Sequence, residues 1–157
     1  MTGETAWDLP DPFTQTLVVS AGDIDGLGHT NNGCYVVWCE ACAWEHSRAL
    51  GLTVADYQRL DRGVAIQRAE YNYTQPSLIG DQLIIGTWLT GCDNRLRLER
   101  RFQIRRQDNG ETVLRGHWLL IGINMTSGKP ARFPPEFIAS YGAAVCRPDE
   151  AQPAGYE

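Results

Sequence analysis

The chain has 157 residues, of which 43% are apolar, and a formal net charge of −5, so its length and composition are those of one folded domain with a hydrophobic core. The acidic balance argues against a general nucleic-acid binder, which normally carries a basic surplus. No apolar run reaches the roughly 18 residues of a membrane span, and residues 1–12 lack the features of an export signal, so we expect a cytoplasmic protein without membrane attachment.

The first predicted elements are a strand, a loop and a long helix. Residues 13–21 are rich in β-forming side chains and predict a strand, whereas residues 22–32 contain too many turn formers for regular structure. Residues 34–51 predict a helix with good cap residues before its start and Gly51 as its stop. Because apolar side chains occur on every face of its first half, we expect this helix to be buried nearly all round.

Strands dominate the rest of the chain. The residue pattern predicts strands at residues 63–75, 82–92, 95–106 and 112–125, and the third alternates over part of its length, with Leu96, Leu98, Phe102 and Ile104 on one face. Asp108-Asn109-Gly110 is typical of a hairpin between the last two strands. The segment Phe133-Pro-Pro-Glu-Phe indicates a short closing helix.

This order of elements predicts an α+β fold with a mostly antiparallel sheet. A helix that is apolar on all sides cannot be covered by one flat sheet face, so we expect a curled sheet around it and a second subunit. We expect one domain over residues 13–145, with an N-terminal arm at 1–12 and a flexible tail at 146–157.

The five cysteines do not indicate a disulfide framework or a metal site. Their number is odd and no export signal is apparent, which argues against structural disulfides. Cys39 and Cys42 form a CxxC pair, but no second pair of cysteines or histidines follows to complete a zinc site. We therefore expect these cysteines to be small buried side chains, and no bound metal.

Polar residues crowd the segment that precedes the helix, and three further landmarks follow it. The four landmarks are Asp23-Ile-Asp25-Gly-Leu-Gly28-His29-Thr-Asn31-Asn32, then Tyr35 with Glu40, then Tyr73-Thr-Gln-Pro76 before Gly80-Asp81, then Thr126-Ser-Gly128-Lys-Pro130 before Phe133-Pro134. In this order they resemble the 4-hydroxybenzoyl-CoA thioesterase family of hot dog-fold acyl-CoA thioesterases, over about residues 14–141. One departure is Ala43, where the family often has an arginine.

The resemblance implies a fold, an activity and an assembly. The fold is a curled, mostly antiparallel sheet wrapped around one long buried helix. The activity is hydrolysis of an acyl-CoA to a free acid and CoA, with no cofactor beyond the CoA moiety of the substrate. Hot dog sites form between subunits, so a homodimer or a homotetramer is expected.

The resemblance also implies catalytic residues. Asp25 is implied as the nucleophile or the general base, and the backbone N–H groups near Asn31, Asn32 and Gly33 are implied as oxyanion donors at the positive end of the helix dipole. An ordinary turn aspartate is the alternative for Asp25. Another hot dog branch uses a helix glutamate, which makes Glu40 the rival catalytic carboxylate; its alternative is a buried glutamate bonded to the partner chain or to water.

The remaining candidates concern substrate contacts. The candidates for substrate contacts are His29, Asn31, Gly33, Tyr35 and Tyr73. A hydrogen bond that braces the loop is the favoured role of His29, the two tyrosines can equally be core aromatics, and we expect a structural role in the loop for Asp23. An acidic protein that binds CoA needs basic side chains for its phosphates. The candidates are Arg68, Arg95 and Arg97, and a solvated outer sheet face is the alternative for each.

The acyl group and the type of activity stay open. The sequence also resembles the betainyl-CoA thioesterases of bacterial carnitine catabolism, which implies a short cationic acyl group that aromatic side chains can enclose. Enoyl-CoA hydration and non-catalytic acyl-CoA binding are the alternatives. Gly26-Leu-Gly28 stands where such hydratases carry an asparagine-proline pattern, and the N-terminal arm is too short for the DNA-binding segment of an acyl-CoA sensor.

Overall fold

Five antiparallel strands form one sheet, and a long helix packs against it. The computed structural model describes residues 7–146. The elements in this range are β1 (Phe13–Val18), α1 (Asn32–Ala49), α2 (Val54–Leu60), β2 (Arg62–Tyr73), β3 (Gln82–Cys92), β4 (Arg97–Arg106), β5 (Thr112–Asn124) and α3 (Pro135–Tyr141). The strand order within these residues is β1-β3-β4-β5-β2, and every neighbouring pair is antiparallel. The predicted α+β class is confirmed.

Helix α1 begins two residues earlier than the sequence predicts because Asn31 caps it. Asn31 has extended backbone angles, φ −61° and ψ 132°, and its side chain accepts a hydrogen bond from the Gly33 N–H. The chain leaves the helix at Leu50 and Gly51, and Gly51 has a φ of +91°. That left-handed angle favours glycine and makes it a natural helix stop.

Only one face of α1 is buried within the single chain. Tyr35, Cys39 and Cys42 pack on the sheet, whereas Val37 is 62% exposed and Trp44 is 41% exposed. The prediction of burial nearly all round is therefore wrong for one chain. Small cysteine and alanine side chains let the inner face approach the sheet closely, whereas the side that carries Val37 and Trp44 is only partly covered by the described residues, with Tyr57 packed against Trp44.

Helix α2 is an element that the sequence analysis missed. Its start is fixed by a capping box, in which Thr53 and Asp56 each accept a hydrogen bond from the other's backbone N–H. It ends at Asp61, which adopts a left-handed φ of 51° before β2 begins. This short helix carries Tyr57 into the core beneath α1 and α3.

The two predicted terminal segments are only partly described. Residues 1–6 of the arm and 147–157 of the tail lie outside the described residues. In the described part of the arm, Trp7 packs edge-on against Trp88 with ring centroids 5.9 Å apart, and Asp8 forms an ion pair with Arg115 at 2.6 Å. These contacts hold residues 7–12 against the sheet.

Within residues 7–146, no helix is both long enough and apolar enough to cross a membrane.

Candidate active site

A tight loop between β1 and α1 holds Asp25. The Asp25 N–H donates to the His29 carbonyl at 2.8 Å, and the Gly28 N–H donates to the Asp25 carbonyl at 3.2 Å. Gly28 closes the turn with a φ of +81°, an angle that L side chains rarely adopt. The loop is therefore a defined turn that sets the position of its aspartate.

The Asp25 carboxylate is fixed by one of its oxygens and open at the other. Asp25 Oδ1 accepts hydrogen bonds from the Leu27 N–H at 2.8 Å and from the His29 N–H at 3.2 Å. Among the described residues, no donor bonds to Oδ2. The carboxylate is thus held in one orientation while Oδ2 stays available for chemistry.

Asp23 has a different environment and supports the loop. Asp23 Oδ2 accepts from the Ser20 N–H and the Ser20 hydroxyl, both at 2.9 Å. Its carbonyl accepts from the Asn31 N–H at 2.7 Å, which ties this short turn to the start of α1. Asp23 and Asp25, the two aspartates of the first landmark, therefore have distinct partners.

The first turn of α1 leaves one backbone N–H group unoccupied. The Gly33 N–H is bonded to Asn31 Oδ1 at 2.9 Å, and the Cys34 N–H is bonded to the Asn31 carbonyl at 2.9 Å. The Asn31 N–H is already bonded to Asp23. Of the three donors that the sequence analysis proposed, only the Asn32 N–H has no acceptor among residues 7–146.

Asp25 and Asn32 line the same cavity, of about 300 Å³, which we call the Asp25 cavity. Its walls include Asp25, His29, Asn32, Tyr35, Tyr73 and Pro76. The rings of Tyr35 and Tyr73 meet edge-to-face with centroids 5.7 Å apart. Burial raises the pKa of the Tyr73 hydroxyl, which is therefore neutral at physiological pH.

The sequence-predicted substrate residues divide into two groups. His29, Tyr35 and Tyr73 line the Asp25 cavity, whereas Asn31 and Gly33 are bonded to each other and do not. The bond that His29 gives to the loop comes from its backbone N–H. Its imidazole is exposed at the cavity wall and has no hydrogen-bond partner in the described part of the chain.

A buried hydroxyl cluster that the sequence analysis missed braces this loop. Thr30 Oγ1 lies 2.6 Å from Ser77 Oγ, and the Tyr35 hydroxyl lies 2.6 Å from the same atom. The Thr30 N–H donates to the Ser77 carbonyl at 2.9 Å. Ser77 directly follows the Tyr73–Pro76 landmark, so that landmark marks the segment against which the loop and α1 are fixed.

Glu40 does not line the Asp25 cavity. It lies on the exposed side of α1 and borders a second cavity of about 180 Å³, which we call the Arg100 cavity. Residues that line the Arg100 cavity include Glu40, Ala43, Trp44, Ile66, Arg100 and Trp118. Within one chain, the two candidate catalytic carboxylates therefore border different cavities.

The three candidate CoA-binding arginines are exposed and lie away from the Asp25 cavity. Arg97 pairs with Ile121 of β5, whereas Tyr73 pairs with Leu114, seven residues or about 23 Å along that strand. Arg95 lies in the turn before Arg97. Arg68 lies on β2, the strand that ends at Tyr73, and its side chain forms an ion pair with Glu70.

Comparisons with known proteins place this geometry in a family. A family described as the thioesterase-like superfamily matches residues 19–140. No curated protein matches the chain by sequence. Within residues 7–146, no three His, Cys, Asp or Glu side chains converge in a group that could hold a metal ion.

Three solved structures show the same fold. A 1,4-dihydroxy-2-naphthoyl-CoA thioesterase from Synechocystis is 17% identical, with a TM-score of 0.75 over 91% of this chain and 100% of that chain. A hypothetical protein from Staphylococcus aureus, solved in complex with CoA, is 19% identical, with a TM-score of 0.77 over 95% of this chain and 97% of that chain. A 12:0-ACP thioesterase from Umbellularia californica is 15% identical, with a TM-score of 0.77 over 92% of this chain and 59% of that chain.

These likenesses and the family match confirm the predicted hot dog fold. The named neighbours act on an aromatic acyl-CoA in one case and on a C12 acyl carrier protein ester in the other. Similar backbones therefore accompany unlike acyl groups, and identities below 20% do not carry a substrate from one chain to another.

Proposed function

The chain belongs to the thioesterase-like superfamily, and we propose that it is an acyl-CoA thioesterase that hydrolyses a small acyl-CoA to its free acid and CoA. The observation that carries this proposal is the pairing of a fixed carboxylate with a free helix N-terminal N–H in one cavity. The two groups are Asp25 Oδ2 and the Asn32 N–H, and neither has a hydrogen-bond partner among the described residues. A carboxylate and an oxyanion donor are what thioester hydrolysis requires.

The reaction follows from these two groups. Asp25 Oδ2 either attacks the thioester carbonyl or removes a proton from a water molecule that attacks it. The carbonyl π electrons move to its oxygen, and the Asn32 N–H at the positive end of α1 stabilises that oxyanion. Collapse breaks the carbon–sulfur bond and releases the CoA thiolate, which takes up the proton held by Asp25 in the general-base route and a proton from water in the nucleophilic route. In the nucleophilic route, water then hydrolyses the acyl anhydride on Asp25.

Aromatic and acidic groups in the Asp25 cavity support a short cationic acyl group such as betainyl. In betainyl-CoA, one methylene separates the quaternary ammonium from the thioester carbonyl, so the ammonium must enter the cavity that holds the carbonyl. Tyr35 and Tyr73 offer aromatic rings there, and Asp25 adds a carboxylate. Such groups attract quaternary ammonium ions.

A matched pair of substrates tests this proposal. We expect thiol release from betainyl-CoA to exceed that from 3,3-dimethylbutanoyl-CoA, its neutral isostere, by about tenfold in kcat/KM. Each value is divided by the rate of hydroxide-catalysed hydrolysis of the same thioester, which removes the intrinsic activation by the ammonium group. Palmitoyl-CoA is the long-chain control.

Three outcomes would contradict the proposal at different levels. Equal turnover of the isostere, or equal or better turnover of palmitoyl-CoA, would contradict the cationic acyl group alone. Absence of thiol release from every acyl-CoA, with binding retained, would contradict hydrolysis and favour a non-catalytic acyl-CoA-binding protein. Hydration of crotonyl-CoA without thiol release would favour a hydratase.

Arg68 is the arginine that we propose for the CoA phosphates. It is exposed on β2, and the pantetheine arm separates the thioester from the phosphates by a length comparable to that between Tyr73 and Arg68 on this strand. Arg95 and Arg97 lie further from the cavity of their own chain. Because phosphate contacts of exposed arginines are screened by salt, the KM for acyl-CoA should rise with ionic strength.

An open sheet edge and an exposed helix face support assembly of two or more copies. Strand β2 is an edge strand of 12 residues, and Ile66 on it is 41% exposed. Val37 and Trp44 on α1 are also exposed, so an apolar helix face and an unpaired edge are both open in the single chain. Long open edges of this kind normally pair or are covered.

We expect light scattering on the purified chain to give a mass of at least twice the 17.5 kDa of one chain. The variant Val37→Glu places a charge on the exposed face of α1. It should lower the measured mass, or make the assembly dissociate at a higher protein concentration than the native protein. The matched control is Val18→Glu, since Val18 is equally exposed on the opposite edge strand, β1. A native chain that stays monomeric at micromolar concentration would contradict the assembly.

A further inference from the structure

Arg100 is a buried cation that has no anionic partner in the described part of the chain. Its side chain lies on the inner face of β4 and the residue is only 3% exposed. Its Nη1 lies 3.0 Å from His46 Nδ1 and donates to Thr87 Oγ1 at 3.1 Å. None of the ion pairs formed by the described residues includes Arg100.

Three N–H groups of this guanidinium remain open. The Nε and Nη2 donors have no acceptor in residues 7–146. In the same residues, Thr90 Oγ1 is the sole fully enclosed side-chain polar atom without a partner. The free nitrogens of Arg100 therefore reach open space, and the space that this side chain borders is the Arg100 cavity.

Arg100 stays charged at neutral pH, and its neighbour His46 stays neutral. Burial lowers the pKa of Arg100 to about 10, so the guanidinium is still charged at neutral pH. Burial, and then the charge of Arg100, lower the pKa of His46 to about 4, so His46 is neutral and its Nδ1 accepts. An uncompensated buried charge is costly, and a bound anion would remove much of that cost.

Further polar groups lie beside the guanidinium in an otherwise apolar cavity. The Tyr57 and Tyr141 hydroxyls are hydrogen-bonded, and the Tyr141 hydroxyl donates to Ser47 Oγ at 2.9 Å. All three of these residues are buried and border the cavity. The remaining walls are mostly aromatic and aliphatic, with Trp44 and Trp118 as the largest side chains.

We propose that the Arg100 cavity binds the carboxylate of a small, otherwise apolar organic acid. The open edge of the guanidinium matches a carboxylate in a bidentate manner, and the apolar walls fit a hydrocarbon body. A volume of about 180 Å³ suits an acid of the size of benzoate or hexanoate. Within one chain the site is separate from the proposed thioesterase centre, and the inference does not rest on that activity.

We infer a free acid, and not the acyl end of a CoA ester bound in the same chain, because aromatic side chains separate the two cavities of one chain. Trp118 borders the Arg100 cavity, and its indole N–H donates to the Tyr71 hydroxyl at 2.8 Å. The Tyr71 ring packs against Tyr73, which borders the Asp25 cavity, with centroids 6.5 Å apart. These three aromatic side chains stand between the two cavities.

Glu40 sets a limit on the charge of the ligand. It is the sole carboxylate among the lining residues, it is exposed, and it does not pair with Arg100. Its charge disfavours dianions such as phosphate more strongly than monoanions. Glu40→Gln should therefore increase the affinity for a carboxylate by a few fold, and a decrease would contradict this arrangement.

The first test compares benzoate with benzamide on the native protein. Both molecules have nearly the same shape, but only benzoate carries a charge for Arg100. We expect calorimetry to show benzoate bound at least about tenfold more tightly than benzamide. Quenching of tryptophan fluorescence should accompany binding, because Trp44 and Trp118 line the cavity. Equal affinities, or no binding of benzoate and hexanoate at millimolar concentration, would overturn the proposal.

Four variants test which cavity the ligand occupies. Arg100→Gln should remove the preference for benzoate over benzamide. Ile66→Trp fills the rim of the cavity and, in a variant whose mass by light scattering equals that of the native protein, should weaken benzoate binding by about tenfold or more, while Val18→Trp on the opposite edge strand should leave it unchanged. Asp25→Asn should also leave it unchanged. Loss of benzoate binding in Asp25→Asn, with retention in Ile66→Trp, would assign the acid to the Asp25 cavity and overturn the proposal.

Discussion

Asp25→Asn is expected to lower kcat/KM for the best acyl-CoA substrate by about a thousandfold, because it removes the nucleophile or base while keeping the shape of the side chain. The carbonyl oxygen of the introduced amide can still accept from the Leu27 and His29 N–H groups that now bind Asp25 Oδ1. The loop should therefore keep its conformation. Free-thiol release measures the activity, and the thermal midpoint verifies the fold.

Glu40→Gln is the matched control for this variant. Glu40 is the other carboxylate that the sequence offers for catalysis, yet it is exposed and borders the Arg100 cavity. We therefore expect Glu40→Gln to keep kcat/KM within a few fold of the native value. If Asp25→Asn retained near-native turnover while Glu40→Gln lost it, the catalytic roles of the two carboxylates would be reversed.

The sheet was predictable because strand patterns are local. Strand β3 begins and ends at the predicted residues, Gln82 and Cys92, and the other strands differ from prediction by a few residues at their ends. Strand β5 alternates buried with more exposed residues over most of its length, whereas β3 is a nearly continuous buried run, and both patterns can be recognised in the sequence. The helix start moved by two residues because capping depends on the backbone angles of Asn31, which alternation does not encode.

The burial of α1 could not be obtained in the same way. Its sequence is apolar on several faces, and composition alone does not say which apolar face its own chain covers. The sheet covers the face of Tyr35 and Cys39 and leaves Val37 and Trp44 open. A helix with two apolar faces predicts a second contact surface as readily as a deeper core.

Two missed features had sequence signals. Thr53 and Asp56 have the spacing of a capping box, which marks the start of α2. Arg100 occupies an inward position of β4, two residues after Leu98 and two before Phe102. A charged residue at an inward position of a strongly alternating strand is costly without a partner, and this cost is the signal that indicates the Arg100 cavity.

The second large effect is expected for Asn32→Pro, which removes the one N–H group at the start of α1 that has no acceptor among the described residues. Proline is favoured at the first helical position, and Asn31 already has the extended angles that a residue before proline prefers. The helix should therefore form as before. Loss of a single oxyanion donor lowers kcat by about 100- to 1000-fold in hydrolases, and we expect a decrease of this size.

Asn32→Ala separates the backbone from the side chain at this position. It removes the side-chain carboxamide of Asn32 but keeps the backbone N–H. It should therefore retain most of the native kcat, whereas Asn32→Pro should not. The contrast between the two variants is the informative quantity, because both lose the same side chain and only one loses the donor. Equal losses of kcat in both variants would show that the Asn32 side chain, and not its N–H, contributes to catalysis. Near-native turnover by a folded Asn32→Pro protein would show that another group stabilises the oxyanion.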